Sequence, residues 1–187
     1  PITLDQERLA EALEDRVVLI TGGGGSIGGE LARQVCRFRP SRLVLLGRGE
    51  NSLWAIEQEL RRDFPGLPLA LELCDIRNPH RLNQAFQRWR PEVVFHAAAH
   101  KHVPFLERHP EEAVENNIFG TRNVLEAARN AGVRRCVNIS TDKAVNPANV
   151  LGVSKRIAEY LVLEASRQAP AGTRYISVRF GNVLGSR

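Results

Sequence analysis

Six short apolar runs recur along the chain, and amphipathic stretches of helical period separate them. The runs are RVVLIT (16–21), RLVLLG (42–47), LALELC (69–74), EVVFHAAA (92–99), RCVNIS (135–140) and RYISVRF (174–180). A strand buried on one face alternates apolar with polar residues; these runs are apolar on both faces, so both must be covered. Between them the helical period predicts SIGGELARQVCRF, then ENSLWAIEQELRR with Leu53, Ile56 and Leu60 on one face. Further helices are predicted through Leu82, Ala85 and Phe86, over 111–132 with Gly132 closing it, and from about Asn149 to Arg167. Short strands alternating with helices call for a parallel sheet with helices on both faces, a doubly wound α/β fold. DFPGLP (63–68) reads as a loop, and there is no internal repeat or low-complexity segment.

TGGGGSIGG (21–29) follows the first strand and opens the first helix. Two glycine registers fit, Gly23, Gly25, Gly28 and Gly22, Gly25, Gly28. In either, glycines let a pyrophosphate approach the backbone while a helix N-terminus offers free N–H groups, so the domain is of Rossmann type. A flexible glycine linker does not suit this strand–loop–helix context. The residues expected to hold the dinucleotide here are Gly22, Gly25, Ser26, Ile27 and Gly28. At the end of the second strand Gly47 stands where an acid would bind a ribose 2′-OH, and Arg48 follows. Arg without the acid favours NADP, with NAD the alternative; nearby Glu50 is assigned to capping the next helix. Asp75 is offered to the adenine amino group, with Ile76 against the ring, and Ala97, Ala98 and Ala99 leave room for the dinucleotide backbone.

At 187 residues the chain is one domain, 16–187, with a polar, weakly helical lead-in over 1–15. No apolar run approaches the roughly 20 residues of a membrane span, and the polar opening leads us to expect no signal peptide. A start on Pro1 and the absence of Met lead us to expect a piece of a longer protein, its C-terminal substrate lobe largely missing. The net charge is +5, but the arginines are scattered without interleaved aromatics. That suits a basic surface for anionic substrates better than a nucleic-acid binder. Cys36, Cys74 and Cys136 are far apart in apolar settings and read as reduced core residues. Lysine occurs only at Lys101, Lys143 and Lys155, against 23 arginines. An amine, unlike a guanidinium, can be tuned to exchange protons. HAAAHKH groups His96, His100 and His102, but an HxxxH metal pair needs a helix, and this is a strand end and loop. No metal is expected; Lys101 and His102 are placed near a substrate phosphate.

STDKAVNPANVLGVSK (140–155) puts Thr141, Asp142 and Lys143 at the carboxyl end of a central strand, where doubly wound folds bind ligands. NPAN then turns into the helix bearing Lys155 and Arg156. Short-chain dehydrogenases usually carry Tyr four residues before this Lys; Leu151 stands there. Tyr160 is no substitute, lying five residues on, about 140° round the helix.

Together, TGGGGSIGGEL, LLGRGENSL, VVFHAAAHKHVP, STDKAVNPANVLGVSKR and VRFGNVLGSR resemble the nucleotide-sugar 4,6-dehydratases of bacterial polysaccharide biosynthesis, which are extended short-chain dehydrogenase/reductase enzymes. The resemblance covers nearly the whole chain. It implies a UDP-N-acetylhexosamine substrate converted to a 4-keto-6-deoxy sugar for capsular or surface polysaccharide, and a tightly bound, recycled NADP or NAD. It makes Lys143 the base at C5, Asp142 the acid for departing water, and Thr141 a hydrogen-bond partner of O4. Lys155 holds the nicotinamide ribose and favours an oxyanion at O4. Asn182 is assigned to substrate. In the large membrane-anchored members the Tyr is often Met, and Leu151 departs further; the O4 proton is assigned to Asp142 through Thr141 or water. PITLDQERLAEALEDR resembles the segment joining a transmembrane region to the enzyme, which implies a cytoplasmic domain of an inner-membrane parent, and a homo-oligomer. The alternatives are a UDP-sugar 4-epimerase or C4 oxidoreductase, in which Lys143 is idle, or a non-catalytic nucleotide-binding module.

Overall fold

A computed structural model describes residues 5–183. The trailing LGSR of the last motif lies outside them. The strands are β1 (Val17–Thr21), β2 (Arg42–Gly47), β3 (Leu69–Leu73), β4 (Val93–His96), β5 (Arg135–Thr141) and β6 (Arg174–Phe180). They form one parallel sheet in the order β3-β2-β1-β4-β5-β6. The helices are α1 (Gln6–Leu13), α2 (Ser26–Cys36), α3 (Glu50–Asp63), α4 (Pro79–Trp89), α5 (Val103–Arg108), α6 (Pro110–Glu112), α7 (Gly120–Ala131) and α8 (Val150–Arg167).

Strands are added on one side of β1 and then on the other, which splits the helices between the two faces. Leu19, Val44, Leu46, Phe86, Val94, Val124, Cys136 and Val162 fill the layer under α4, α7 and α8. Val18, Ile20, Val35, Leu43, Leu45, Leu53, Ile56 and Leu60 fill the layer under α2 and α3, which Leu13 of α1 joins. Successive strand residues thus feed opposite layers, as the pleat requires. Arg135 Nη1 donates to Ala12 O at 3.3 Å, tying α1 to the start of β5. All three cysteines are free and buried; burial pushes the Cys136 thiol up to about 12. Among the described residues, no helix is long and apolar enough to cross a membrane.

Helix boundaries follow local chemistry. Asn78 accepts from Arg81 N and Asn149 from Gly152 N, so each caps the helix it precedes. Gly132, at φ 74°, ends α7 in the left-handed region.

Three expectations need correction, and one short helix, α5, was not foreseen. Glu50 does not cap α3: Gly49 occupies that position and Glu50 sits in the first turn, where its charge still favours the helix dipole. The helix predicted over 111–132 is not uniform, because Ala113–Phe119 is π-helical. A Cβ on Gly120 would stand 2.6 Å from the Ile76 side chain, so the bare backbone packs there. The wider π turn directs Asn116 and Asn117, neighbours in sequence, both inward. The short helix α5 has too few turns to display a helical period. Finally, β6 is covered on one face only among the described residues, since Ile176 and Val178 are 50% and 41% exposed.

Phe86 is among the largest fully buried side chains. Phe86→Ala should lower unfolding stability by about 3–5 kcal/mol, measured by urea denaturation with an unchanged m-value.

Candidate functional site

All six strands end on one edge of the sheet, and two adjoining clefts open there. One is lined by Gly22, Gly25, Arg48, Ser52, Asp75 and Ile76. The other is lined by Ile27, Lys101, Thr141, Lys143, Lys155 and Asn182. Ala97, Ala99 and His100 border both, while Ala98 lines the first and His102 the second. Ser26 and Gly28 are on neither wall.

The glycine loop is held by close backbone packing. Gly22 has φ 68°, and a Cβ there would lie 2.8 Å from the Ala98 backbone. A Cβ on Gly28 would collide with Gly22 O. Gly25 is the N-cap of α2. A Cβ on Gly23 would likewise stand 2.8 Å from the Leu45 side chain, so of the two candidates for the first position Gly22 is set apart by its positive φ. The first-turn N–H groups of α2 open beside the loop, a geometry suited to an anion.

At the far end, Asp75 is gripped by Arg77, which donates from Nη2 at 2.8 Å and from its backbone N at 2.9 Å. Burial raises the Asp75 carboxyl, but the Arg77 bonds and charge outweigh it and hold it below the usual range. Asp75 is thus already engaged in the position assigned to adenine. Arg48 Nη1 lies 3.8 Å from Asp75, and its Nη2 is 3.3 Å from His100 Nε2. Burial, then the Arg48 charge, pull His100 down.

The histidine cluster divides. His96 turns away from the clefts into the core, fully buried. Its Nδ1 is 2.7 Å from Thr21 Oγ1 and its Nε2 is 2.9 Å from Thr121 Oγ1. Thr121 donates its own proton to Asn117 O at 2.6 Å, so it accepts from His96 Nε2–H. Nδ1 then accepts from Thr21, whose oxygen accepts in turn from Ala98 N. This assigns one neutral tautomer. Burial first, then the Lys155 charge, push His96 down to about 3. His100 and Lys101 stay at the cleft because Asn117 clamps their loop: His100 N donates to Asn117 Oδ1 at 2.8 Å, and Asn117 Nδ2 donates to His100 O at 3.0 Å. The same amide donates to Ser154 Oγ, beside Lys155. Sequence reasoning missed Asn117; a 3.6-residue period points only one of two adjacent residues inward.

At the other end, β5 runs one residue beyond expectation, to Thr141, and Asp142–Ala144 forms a 3-10 turn. Thr141 Oγ1 donates to Asp142 Oδ1 at 3.0 Å. Lys143 Nζ donates to Asp142 Oδ1 at 3.4 Å and to Asn182 Oδ1 at 3.2 Å. The Thr141 bond, then the Lys143 charge, hold the Asp142 carboxyl below its usual value. The expectation that Asp142 faces the crevice needs amending: it is exposed and off the wall, reaching Thr141 and Lys143 by hydrogen bonds. Lys155 is buried, and burial pushes it down to about 8 against the opposing field of Glu159. Lys101, Lys143 and Lys155 all line this one cleft.

Leu151 is buried against Leu106 and Ala113, with Val103 and Val150 alongside. It fills the space beneath α5 and forms part of the wall. Tyr160 is 56% exposed under the Arg156 guanidinium, away from the cleft. Ser140, Glu159 and Arg179 form a further ionic group that sequence reasoning did not mark.

The sequence profile of a family described as polysaccharide biosynthesis protein matches residues 18–187. A Staphylococcus aureus protein named capsular polysaccharide biosynthesis protein CapD is 46% identical across all of this chain, which spans 31% of that protein's length. A Campylobacter jejuni UDP-N-acetylglucosamine 4,6-dehydratase (inverting) is 36% identical over 91% of this chain and 50% of its own. A Rickettsia massiliae UDP-glucose 4-epimerase is 35% identical over 92% of this chain and 50% of its own. Among solved structures, Pen from Bacillus thuringiensis superposes with a TM-score of 0.86 at 38% identity, covering 94% of this chain and 52% of that one.

The His96 ring titrates near 6.5 unfolded and about 3 folded. Its depressed value means stability is fully present above pH 6.5 and is lost as pH falls toward 3. The slope from this group should reach about 1.4 kcal/mol per pH unit, and His96→Asn should flatten the acid limb of a urea-unfolding series.

Proposed function

This chain belongs to the polysaccharide biosynthesis protein family, and we propose that it is the dinucleotide-binding part of a nucleotide-sugar 4,6-dehydratase acting on a UDP-N-acetylhexosamine. The observation that carries this is the hydrogen-bonded set of Thr141, Asp142, Lys143 and Asn182 at the mouth of the cleft that Lys155 lines. It joins a base, an acid and a hydroxyl relay without an acidic residue at position 151. The relatives match over a third to a half of their lengths. We assign the rest of such a protein to a substrate lobe and to a membrane region ahead of the lead-in 1–15, with 16–187 as the cytoplasmic cofactor domain.

The residues fit a dinucleotide. Gly22 and Gly25 bring the loop backbone and the α2 N-terminus to the cleft, Ile27 and Ala97–Ala99 line its middle, and Lys155 stands at the nicotinamide end. Arg48, with no acid at the end of β2, supports NADP over NAD. When bound, the cofactor supplies reversible hydride acceptance, from C4 and back to C6. Thr141 passes the O4 proton to Asp142, and Lys155 stabilises negative charge developing on O4. With C4 a ketone, Lys143 removes the acidified C5 proton. Asp142 returns its proton to O6, which leaves as water. Lys143 then gives its proton back to C5 as hydride reaches C6. The net loss is one water, and Asp142 needs no proton of its own at the start, which agrees with its lowered pKa. Lys101 and His102 are proposed to bind substrate phosphate. A second copy of the chain is the proposed occupant of the exposed stripe Val153, Ile157 and Tyr160 on α8, spaced at helical period.

The epimerase reading is favoured by the Rickettsia relative. It leaves Lys143 idle, so the whole protein with UDP-N-acetylglucosamine in deuterated water separates the two. Dehydration puts solvent deuterium at C5; epimerisation does not. Asp142→Asn should reduce dehydration by roughly 10²–10⁴-fold, and full activity in that variant excludes the assignment. Neither reaction, with dinucleotide bound, would indicate a non-catalytic module. Calorimetry should show NADP⁺ binding more tightly than NAD⁺. Arg48→Ala should weaken NADP⁺ by about tenfold, the loss of one charge-assisted hydrogen bond, and leave NAD⁺ unchanged.

A further inference from the structure

Arginines that are scattered along the sequence gather in the fold at one edge of the sheet. A parallel sheet starts every strand on the edge opposite the clefts. Arg42, Arg135 and Arg174 are the first residues of β2, β5 and β6, and Arg16 and Arg134 stand immediately before β1 and β5. Arg88 and Arg90, at the carboxyl end of α4, reach the same edge just ahead of β4. All seven are exposed. Arg135 and Arg174 are direct Cα partners across β5 and β6, and like charges set side by side on neighbouring strands repel.

Few acids answer them. In the turns that lead into the strands, the acids are Glu14, Asp15 and Glu92. Glu14 is taken by Arg39 at 2.6 Å and Glu92 by Arg16 at 2.9 Å. Arg42, Arg88, Arg90, Arg134, Arg135 and Arg174 form no ion pair among the described residues. Arg42 and Arg88 lie over the Trp89 ring, at 5.3 and 5.0 Å from its centre. That contact steadies two guanidiniums without neutralising them. The cleft edge differs, since there Arg77 holds Asp75 and Lys143 holds Asp142.

The lead-in returns to this same edge. Leu13 is buried under the sheet, Arg135 Nη1 donates to Ala12 O at 3.3 Å, and Asp15 N donates to Arg39 O at 3.3 Å. The eight residues of α1 span about 12 Å, so the chain ahead of α1 starts close to the arginines. We propose that this edge is a docking face for an anionic phospholipid bilayer, with Arg42, Arg90, Arg134, Arg135 and Arg174 on headgroup phosphates. A guanidinium forks onto a phosphate with two parallel hydrogen bonds. The attached α1 selects a membrane over a nucleic acid: a membrane region ahead of 1–15 brings this edge to the lipid surface, where the field of the headgroups acts over about 10 Å. That step rests on the membrane region assigned under the proposed function. The two clefts then face the solution, from which a nucleotide sugar enters.

Vesicle flotation of this chain tests the face, because no described helix can cross a membrane. The probe is phosphatidylcholine vesicles with about 30% phosphatidylglycerol, compared with phosphatidylcholine alone. At about 0.05 M salt the chain should float with the anionic vesicles only, and about 0.5 M salt should release it. Arg90→Gln and Arg174→Gln should each weaken partitioning about fivefold, and together about 25-fold. Arg108→Gln, which removes the same charge from α5 on the cleft side, should change little. No flotation with anionic vesicles, or an equal loss in Arg108→Gln, overturns the proposal. Saturating NADP⁺ should leave flotation unchanged; release by NADP⁺ would put the headgroup in the cofactor cleft and also overturn it. A chain that ignores the vesicles but binds a random-sequence DNA duplex through Arg90 and Arg174 is a nucleic-acid binder, which rejects the proposal. If Arg174→Gln does not fold, Arg90→Gln and the salt series decide. Fractionation of the whole protein separates this from the functional reading: recovery away from membranes rejects the membrane region, while flotation of this chain still decides the docking face.

Discussion

A parallel sheet delivers every strand's carboxyl end to one edge, and here that edge is polar deep into the core. Thr21, His96, Asn138 and Ser140 are buried at the ends of three adjacent strands, where the same rows begin with Leu19, Val94 and Cys136. Buried polar groups cost stability unless partnered. The fold meets that requirement with helix side chains: Thr121 for His96, Glu159 for Ser140, and Asn117 for the loop beyond β4. Among the described residues, Asn138 Oδ1 is the buried side-chain atom left without a partner. The apolar half of the core holds the sheet together, and the polar half holds the site in register with it.

This polar half explains how position 151 can be a leucine. Lys155, Ser154 and Glu159 sit on the sheet-facing side of α8 and are fixed from the sheet, from Asn117 and from Arg179. Residue 151 takes part only through its backbone, where its carbonyl accepts from Ser154 Oγ at 2.9 Å. Leu151 instead packs beneath α5, a helix that also carries Glu107, whose carboxylate accepts from Val150 N at 2.7 Å. An apolar residue there secures α5 against α8. Its loss of acid–base chemistry and its gain in packing are separate effects of one side chain.

The apolar runs were enough to place all six strands and five of the helices, because the runs are short, all but LALELC carry β-branched residues, and stretches of helical period separate them. Gly22, Gly25, Arg48, Asp75, Lys101, Thr141, Lys143, Lys155 and Asn182 were legible as candidates from their position after strands, and they line the two clefts. Most of what was illegible depended on contacts distant in sequence. His96 looks like a loop histidine until Thr21 and Thr121 enclose it. Asn117 acquires its role from a π turn that no periodicity announces. Glu159 lies in a helix rich in charge, and only the arrival of Arg179, 20 residues on, distinguishes it. The Asp75 carboxylate was read as open because the Arg77 that occupies it folds back from only two residues away.

The lysine distribution bears on the proposed chemistry through the environments of the two amines. Lys155 is buried in the cleft wall, and burial brings its ammonium down to about 8. Lys143 is partly exposed, lies beyond the end of β5 on a short turn, and holds Asp142 and Asn182 by long hydrogen bonds of 3.4 and 3.2 Å. Long, adjustable bonds suit the proton-carrying role proposed for Lys143. A base and an electrostatic anchor cannot share one lysine, because the first needs to change charge and the second needs to keep it. Two amines in contrasting surroundings, with arginine used elsewhere for plain positive charge, are what a cleft requires when the acid–base work lies on the loop after β5 and not on α8.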